Sequence, residues 1–463
     1  MATMSPIDAN ALAAEEAESA AAPPSATDDQ PWSSPRLAWY ALTLLVLATM
    51  MNFFDVGVFG LMVEYIKRDF QLSDFGLSLL MGPAGILFYV VVGIPLARLV
   101  DIYSRRMILG VGLLITSGMT SLSGLTQSFG QFFLLRAFTG VGGSAHAPGT
   151  YSMIADLFPP QRLPRAFGVL QLGFILGAGL APIIGGWALS HMAAWQPTQV
   201  GPLLIHGWQW LLLATGVPGL IIACFIFALP EPARRGTVAG GKGLPLRVEL
   251  QEIGKRRGVY FPLFIGLALS SLEATGVLIW RVPLMMRSYH WGPMEIGAWA
   301  GLTAFVAMPL GAAFGTWLTE HLSKRHKDAP VRTTAIAFAL CIPFSVASPL
   351  MPTGELSTLV AAFGGLFGIA AGVPQNTAIQ TITPNEMRAQ VTAVYLFMFT
   401  FFGAMGSTVV ALITDHLVGG PQNLWLSLSI AAATLLPLAV YAITRAMKPY
   451  AAEIERLEAL KAA

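Results

Sequence analysis

Charged residues are scarce in this chain. Only 11% of its 463 residues are Asp, Glu, Lys or Arg, whereas 55% are hydrophobic. A water-soluble domain carries about 25% charged residues. So apolar a chain cannot hide its hydrophobic surface inside one soluble core, and the sequence therefore predicts an integral membrane protein whose solvent is the bilayer.

The residue patterns of enzymes and metal sites are also missing. The two cysteines, Cys224 and Cys341, lie within apolar runs and indicate neither a disulfide framework nor a metal site. There is no phosphate-binding Gly-x-x-x-x-Gly-Lys-Ser/Thr segment, no His/Cys set with metal-ligand spacing and no nucleophile elbow. We expect no enzyme activity, cofactor or metal, and a net charge of +2 gives no reason to expect nucleic-acid binding.

Long apolar runs dominate what is present. A helix that spans a bilayer needs about 20 mostly apolar residues, and we predict twelve such spans. Their expected bounds are 37–63, 75–100, 106–126, 131–157, 165–190, 207–230, 259–286, 294–320, 332–351, 355–382, 389–414 and 422–446. The longest polar interval between spans, 231–258, divides them into six and six.

The predicted organisation has five parts. Residues 1–35 are rich in Ala, Ser, Pro and acids without a basic start, so we expect a disordered tail rather than a signal peptide. Two six-helix bundles follow, 36–230 and 259–447. The linker 231–258 places Leu246, Leu250 and Ile253 on one face of a short amphipathic helix, and residues 448–463 form a tail helix.

The basic residues predict the orientation. Most of the 27 Lys and Arg residues fall in segments on the same side of the membrane as the two termini. Because cytoplasmic loops carry an excess of Lys and Arg, we expect both termini in the cytoplasm of a multi-pass protein. Its membrane would be the cell membrane, which is the inner membrane in a bacterium.

One charged segment occurs twice. Asp101-Ile-Tyr-Ser104-Arg105-Arg106 follows span 2, and Glu320-His-Leu-Ser323-Lys324-Arg325 follows span 8. Each has an acid, then a serine, then two cations at the same spacing. Internal repetition of this kind in an apolar chain indicates a duplicated membrane protein.

Twelve spans in two halves, with this loop after spans 2 and 8, resemble the major facilitator superfamily. The loop departs from the family pattern at Ala97, Ile102 and Ser104. The resemblance implies an all-α integral membrane fold of two pseudo-symmetric six-helix bundles. It also implies alternating access to a site near the midplane, and, without an ATP site, uphill transport would draw on an ion gradient.

The first half is most similar to the spinster group of lysolipid and sphingolipid transporters. The motifs that carry this similarity are Asn52-Phe-Phe-Asp55, Asp69-Phe70-x-Leu72-Ser73 with Gly76-Leu77, Arg136-x-x-x-Gly140-x-Gly142, Ala155-Asp156-Leu-Phe158-Pro159 and Pro230-Glu231-Pro232. Val56 stands where the family pattern has an arginine, and Gly143 where it has a glutamate. Both are polar positions of the family's central cavity, so the family's coupling residues carry over only in part.

Ionisable residues within spans mark candidate functional sites, since charges at bilayer depth are costly. Asp55 and Arg136 lie at similar depth in spans 1 and 4. They are predicted to pair, either as a proton-sensitive switch or as a permanent structural salt bridge. His146 in span 4 is a candidate for proton exchange or an ordinary packing residue.

Span 7 carries a second pair of intramembrane charges. Glu273 is central, and Arg281 lies about 12 Å along the helix axis from it, too far to bond directly. Both need other partners, such as substrate or water, and Glu273 is the candidate proton site of the second half. Asn376, beside Pro374 in span 10, is a candidate cavity contact.

The repeated loops imply a conformational latch. By resemblance, it holds the two halves together when the cavity faces outward, with Arg105 expected to bridge Asp101 and Asp156. The full predicted set is Asp101, Arg105, Arg106, Asp156, Glu320, Lys324 and Arg325.

The sequence therefore predicts a proton-coupled secondary transporter, monomeric, for an amphipathic organic anion such as a lysophospholipid or sphingoid phosphate. Arg136 would hold the head group, while Asp55 and Glu273 would couple protons. One alternative is a proton-coupled antiporter of drugs or small organic anions, indicated by the small residues from Gly173 to Gly186 in span 5, which packing alone also explains. The other is a receptor or scaffold that transports nothing.

Overall fold

The computed structural model describes residues 32–85, 92, 103–233, 254, 256–383 and 388–462. Within these ranges, ten helical segments are long and apolar enough to cross a membrane. The two other predicted spans are also helical where described: span 2 begins with the helix Asp74–Met81, and span 4 is divided into two shorter helices. The expected all-α architecture of twelve spans is confirmed.

The first half contains spans 1 to 6. Its helices are Pro35–Asp69 for span 1, Asp74–Met81 at the start of span 2, Arg105–Ser123 for span 3, Phe129–Ser144 and His146–Leu157 for span 4, Leu163–Met192 for span 5, and Gly207–Phe227 for span 6. Strands β1 (Thr198–Val200) and β2 (Leu203–Ile205) form an antiparallel hairpin between spans 5 and 6.

The second half contains spans 7 to 12. Its helices are Arg257–Ser288 for span 7, Pro293–Ser323 for span 8, Ala329–Ala347 for span 9, Gly354–Ala370 and Gly372–Ile382 for span 10, Arg388–Leu412 for span 11, and Leu424–Ala462 for span 12. A 3₁₀ turn, Ser348–Leu350, follows span 9, and a π-helical turn, Ile413–Leu417, follows span 11.

One predicted element differs from the structure. The tail helix expected from residue 448 onward is not separate, because span 12 continues without a break to Ala462. Tyr450 and Ile454 extend the core of the second half along this continuation, and Glu453 pairs with Arg256 at 3.0 Å. The predicted N-terminal tail up to residue 31, the linker helix with Leu246, Leu250 and Ile253, and Asp101 lie outside the described residues.

Spans 4 and 10 are interrupted at corresponding places in the two halves. The helix breaks at Ala145 in span 4 and at Ala371 in span 10, in each case shortly before a proline, Pro148 or Pro374. Proline has no backbone N–H to donate within a helix. Proline-interrupted helices at matching positions of two repeats are a pointer to the binding region of a transporter.

We call the end of the bundle that holds Pro35 and Ala462 the terminal end, and the end that holds the β1–β2 hairpin the hairpin end. The described contacts between the two halves lie towards the hairpin end. There Gly186 of span 5 meets Pro293 and Gly297 of span 8. Ser407 Oγ of span 11 donates to the Ser78 carbonyl of span 2 at 3.0 Å.

The small residues of span 5 allow its helix to pack closely against spans 1 and 8. A Cβ atom at Gly173 or Gly177 would overlap span 1, whereas one at Gly179 or Gly186 would overlap span 8. Small residues let transmembrane helices approach closely enough for extensive van der Waals contact. Packing thus accounts for the spacing that also indicated an antiporter.

We expect Gly297→Ala to lower the melting temperature in detergent, because its new Cβ would lie 1.9 Å from the Pro182 carbonyl oxygen. Gly168→Ala adds the same methyl group where nothing lies within 4 Å. That control should leave the melting temperature unchanged or raise it, since alanine favours a helix over glycine by about 1 kcal/mol. Gly297→Ala melting at or above the wild-type temperature would contradict this role of Gly297.

Candidate functional site

A buried ion pair joins spans 1 and 4 of the first half. Arg136 Nη1 lies 3.3 Å from each carboxylate oxygen of Asp55. Thr120 of span 3 donates its hydroxyl to Asp55 Oδ1 at 2.9 Å. Asp55 is 7% exposed and Arg136 is 8% exposed. The structure thus brings together two of the predicted site residues and adds Thr120, which the sequence did not indicate.

Arg136 is enclosed on a further side by an aromatic ring. Its Cζ lies 4.1 Å from the centroid of Phe59, in cation–π geometry. The opposite charges of Asp55 and Arg136 neutralise each other, which makes their burial at bilayer depth tolerable. This geometry fits both predicted alternatives, a proton-sensitive switch and a permanent structural salt bridge.

His146 is not part of this ion pair. It opens the second helix of span 4, and its Nε2 lies 2.9 Å from the hydroxyl oxygen of Thr49. Because the Thr49 hydroxyl donates to the Leu45 carbonyl at 2.8 Å, Nε2 carries the proton and donates to Thr49. This satisfied hydrogen bond between spans 1 and 4 favours the packing interpretation of His146.

Glu273 and Arg281 do not meet, as their separation along span 7 predicts. Glu273 is 4% exposed, and its Oε1 has no hydrogen-bond partner among the described residues. Arg281 donates through Nη1 to Ser348 Oγ at 2.6 Å and through Nη2 to Thr358 Oγ1 at 3.1 Å. The second half therefore holds a buried acid and a cation that are each without an opposite charge in the part of the chain described.

Asn376 lies in the second helix of span 10, beyond the interruption. Its side chain is exposed, and its amide nitrogen donates to the Gly372 carbonyl at 3.1 Å. The neighbouring Gln375 is buried. Asn376 is thus accessible to a ligand, but it contacts none of the charged residues above in the described hydrogen bonds.

A cluster of charges at the hairpin end joins the two halves. Arg287 of span 7 donates to Glu64 Oε1 of span 1 through Nε at 3.0 Å and Nη2 at 2.7 Å. The same guanidinium binds both oxygens of Asp74, at the start of span 2, at 2.8 Å. Lys67 also pairs with Asp74. We call Glu64, Lys67, Asp74 and Arg287 the hairpin-end bridge.

The sequence did not reveal the hairpin-end bridge. Its acids lie in the first half and Arg287 lies in the second, and none of them falls in a motif that recurs. Only the fold places these side chains together. Since the bridge and the contacts of span 5 with span 8 lie at the same end, the halves are held together there.

A second cluster lies at the terminal end, around Arg105. This side chain is 1% exposed. It pairs with Asp156, as predicted, and its Nε donates to Glu231 at 3.0 Å. Asp101, the other predicted partner, lies outside the described residues. The acid found beside Asp156 is Glu231, which the sequence showed only as part of the Pro-Glu-Pro motif.

Glu231 caps the first turn of span 3. Its carboxylate accepts hydrogen bonds from Ser104 Oγ at 2.6 Å and from the backbone N–H groups of Arg105 and Arg106, at 3.0 and 3.1 Å. A carboxylate at a helix N-terminus satisfies unpaired N–H groups and interacts favourably with the helix dipole. Burial by itself would raise the pKa of Glu231, but these hydrogen bonds outweigh burial and hold the pKa below its usual value.

The predicted latch does not join the two halves in this state. Of the partners given above for Arg105, Asp156 belongs to the first half and Glu231 directly follows its last span, and Arg106 Nη1 donates to the Leu229 carbonyl, also in the first half. Glu320, Lys324 and Arg325 are exposed and form no ion pair among the described residues. The terminal-end cluster is thus a contact within one bundle here.

A cavity of about 240 Å³ lies where the halves meet inside the bundle. Residues of spans 2, 7 and 11 line it. Its wall includes the hydroxyl-bearing Ser271, Thr275 and Thr400 together with Met81 and Phe399. The combination of hydroxyl groups with apolar side chains suits an amphipathic ligand.

We expect Glu231→Gln to lower the melting temperature, because glutamine carries no charge for Arg105 or the helix dipole. A carboxylate whose pKa is lowered by folding stabilises the folded state above its unfolded pKa, and that contribution is lost as pH falls through the folded pKa. The difference in melting temperature from wild type should therefore be full near neutral pH and should shrink as pH falls below the ordinary glutamate pKa of about 4.3. The exposed Glu355→Gln serves as control; a pH-independent difference for Glu231→Gln would contradict this assignment.

We expect Arg287→Ala to open the hairpin end, since it removes the cation between Glu64 and Asp74. The measurement is maleimide labelling of Ser78→Cys, in a background without Cys224 and Cys341. Ser78 is fully buried against span 11. Labelling should be several-fold faster with Arg287→Ala than without it. Arg68→Ala is the matched control because Arg68 pairs only with its neighbour Asp69 among the described ion pairs; equal acceleration by both variants would refute a specific bridge.

Comparison with known proteins agrees with this architecture. The model of the Major Facilitator Superfamily matches residues 45–408. An MFS-type efflux pump of Mycolicibacterium smegmatis is 27% identical over 412 residues, which cover 88% of this chain and 92% of the pump. Protein spinster of Drosophila melanogaster is 23% identical over 339 residues, 71% of this chain and 54% of the fly protein, so the chain matches about half of that relative.

A solved structure shares the fold. The crystal structure of a bacterial homologue of the human lysosomal transporter spinster, inward-facing and unoccupied, matches with a TM-score of 0.75 at 22% identity. The match covers 91% of this chain and 98% of that one. With the family model matching most of the sequence, the chain belongs to the major facilitator superfamily, whose members are membrane transporters and not enzymes.

Proposed function

We propose that this protein is a proton-coupled secondary transporter that moves an amphipathic organic anion by alternating access. A lysophospholipid or a sphingoid phosphate is the substrate to test first. The observation that carries the proposal is the buried Asp55–Arg136 pair, with Thr120 bonded to the same carboxylate. Asp55 is a titratable group at bilayer depth, and its charge decides whether Arg136 has a counterion. Coupling to a proton gradient requires a group of this kind.

In this proposal the terminal end faces the cytoplasm and the hairpin end faces the outside. Arginines and lysines concentrate at the terminal end, among them Arg105, Arg106, Lys324 and Arg325, as the positive-inside rule requires. With the halves joined at the hairpin end, the structure then corresponds to a state closed to the outside. The central cavity would open to the cytoplasm in this state.

Proton coupling would work through competition for Arg136. Ionised Asp55 holds Arg136, whereas protonated Asp55 releases it, because a neutral carboxyl no longer offsets its positive charge. Glu273, with its unpartnered Oε1, is the second proposed proton site. In this state Asp55 and Phe59 contact the guanidinium of Arg136, and its role as head-group ligand stays a prediction.

The change of access would exchange one set of inter-half contacts for another. The hairpin-end bridge would break as the outside opens. The latch of Asp101, Arg105, Arg106, Asp156, Glu320, Lys324 and Arg325 would then form at the terminal end. The exposure of Glu320, Lys324 and Arg325 supports this, because they are available for such contacts.

A second candidate function is a proton-coupled antiporter of drugs or small organic anions. The similarity to a mycobacterial efflux pump over most of both chains favours it. It shares the coupling residues with the first proposal and differs in the substrate. Competition by many unrelated compounds would indicate this function, and a receptor or scaffold would give no flux at all.

The test is flux into liposomes containing the purified protein, which we expect to be monomeric. Uptake of a labelled lysophospholipid and of a sphingoid phosphate is followed with and without an imposed pH gradient. We expect the gradient to stimulate uptake in wild type and in the exposed Glu355→Gln control. In Asp55→Asn and Glu273→Gln we expect the stimulation to fall by about tenfold.

The other outcomes separate the alternatives. Flux that ignores the gradient in wild type would leave a facilitator and give both acids structural roles. Flux of drug-like anions without flux of either lipid would favour the antiporter. No flux of any compound from a correctly folded protein would refute transport as proposed.

A further inference from the structure

We propose that Arg281, towards the hairpin end of span 7, binds the anionic group of the transported molecule. The proposal rests on the proposed function, since it assigns the recognition of an organic anion to one side chain. Three observations carry it: the partners of Arg281, the face of span 7 on which it lies, and the hydrogen bonds of the hydroxyl groups around it.

Arg281 differs in its partners from Arg105, Arg136 and Arg287. Arg105 contacts Asp156 and Glu231, Arg136 contacts Asp55, and Arg287 contacts Glu64 and Asp74. The two described hydrogen bonds of Arg281 both go to neutral hydroxyl oxygens. An arginine side chain stays protonated in proteins, so its positive charge is not compensated within the described residues.

An uncompensated charge at this depth calls for a ligand of opposite sign. Ionisable residues within membrane spans are expensive and almost always serve a partner, a substrate or an ion. Span 7 provides no acid within bonding distance of Arg281, since Glu273 lies about 12 Å away along the axis. A bound anion would supply the missing charge.

Arg281 lies on one face of span 7 together with two exposed apolar residues. Ala274 and Leu278 share that face and are exposed, Leu278 by 71%. The opposite face is closed, because Gly276 touches the backbone of Gly406 in span 11. Arg281 lies about 9 Å along the axis from Arg287, the cation of the hairpin-end bridge.

The surrounding hydroxyl groups hold the guanidinium in place, and some of its N–H groups are left to bind a ligand. Ser348 Oγ donates to the Ser357 carbonyl at 3.0 Å, and Thr358 Oγ1 donates to Met285 Sδ at 3.7 Å. Their protons are thus used elsewhere, and both oxygens accept from Arg281. A guanidinium has five N–H donors, of which the described hydrogen bonds use two, and the others can bind a carboxylate or a phosphate.

The apolar face below Arg281 indicates the rest of the ligand. Leu278 and Ala274 continue from Arg281 towards the terminal end. A molecule with its anionic group on Arg281 would lay an apolar part along these side chains. The expected ligand class is an amphipathic anion, and the fork of a guanidinium suits both phosphate and carboxylate groups.

The test compares anionic and neutral ligands that share an apolar part. Binding and liposome uptake are measured for lysophosphatidic acid, for a long-chain fatty carboxylate and for the uncharged monoacylglycerol. Variants are Arg281→Gln and Arg281→Lys, with the exposed Arg68→Gln as matched control. The two anions distinguish a phosphate site from a carboxylate site.

We expect Arg281→Gln to weaken binding of the preferred anion by about tenfold to a hundredfold, the effect of losing a charged hydrogen bond. Binding of the monoacylglycerol should not weaken. Arg281→Lys keeps the charge but not the fork, so its loss should be smaller. Arg68→Gln should bind every ligand as wild type does.

Protein stability separates a binding role from a structural one. Because Arg281 has no described counterion, Arg281→Gln should melt at or above the wild-type temperature. A large fall in melting temperature in both Arg281 variants would mark a structural arginine and overturn the inference. So would unchanged anion binding in folded Arg281→Gln.

Binding and transport by the wild-type protein show whether a negative result contradicts the role of Arg281 or the proposed function. If it carries an anion and Arg281→Gln carries it equally well, the proposed function stands and this assignment falls. If wild type neither binds nor carries either anion, both the anion substrate and the role of Arg281 are refuted.

Discussion

The bilayer cannot solvate an isolated charge, and this constraint arranges the charged side chains of the bundle. Arg136 is neutralised by Asp55, Arg105 by Asp156 and Glu231, and Arg287 by Glu64 and Asp74. Each of these groups ties together spans that are distant in sequence. Among the described residues, Glu273 and Arg281 have no partner of opposite charge. At such a site within the membrane, binding of a proton or an anion would neutralise the charge.

The distribution of these ion pairs along the bundle bears on how it works. The Asp55–Arg136 pair and the terminal-end cluster each lie within the first half, whereas the hairpin-end bridge joins the halves. The close helix contacts of span 5 with span 8 lie at the same end as the bridge. Among the described residues the two halves are thus joined towards the hairpin end, an asymmetry that the proposed alternating access would use.

The sequence predicted much of the fold and part of the site. Apolar runs located the spans, because a bilayer demands about 20 apolar residues from each. The pairing of Asp55 with Arg136 followed from their matching depth. By contrast, the contacts of Glu231 with Arg105, of Thr120 with Asp55 and of Arg287 with Glu64 and Asp74 gave no sequence signal. Such contacts depend on side-chain directions that composition and periodicity do not specify.

What the sequence by itself determined is everything that follows from the bilayer as solvent. That includes the all-α class, the twelve spans, the division into halves and the rarity of charges that makes each one informative. Tertiary structure alone decided which acid neutralises which base, and that the described hydrogen-bond partners of Arg281 are Ser348 and Thr358. The physical reason is that hydropathy acts on each segment independently, whereas an ion pair depends on a few ångströms between side chains from distant segments, which only the packing of the helices sets.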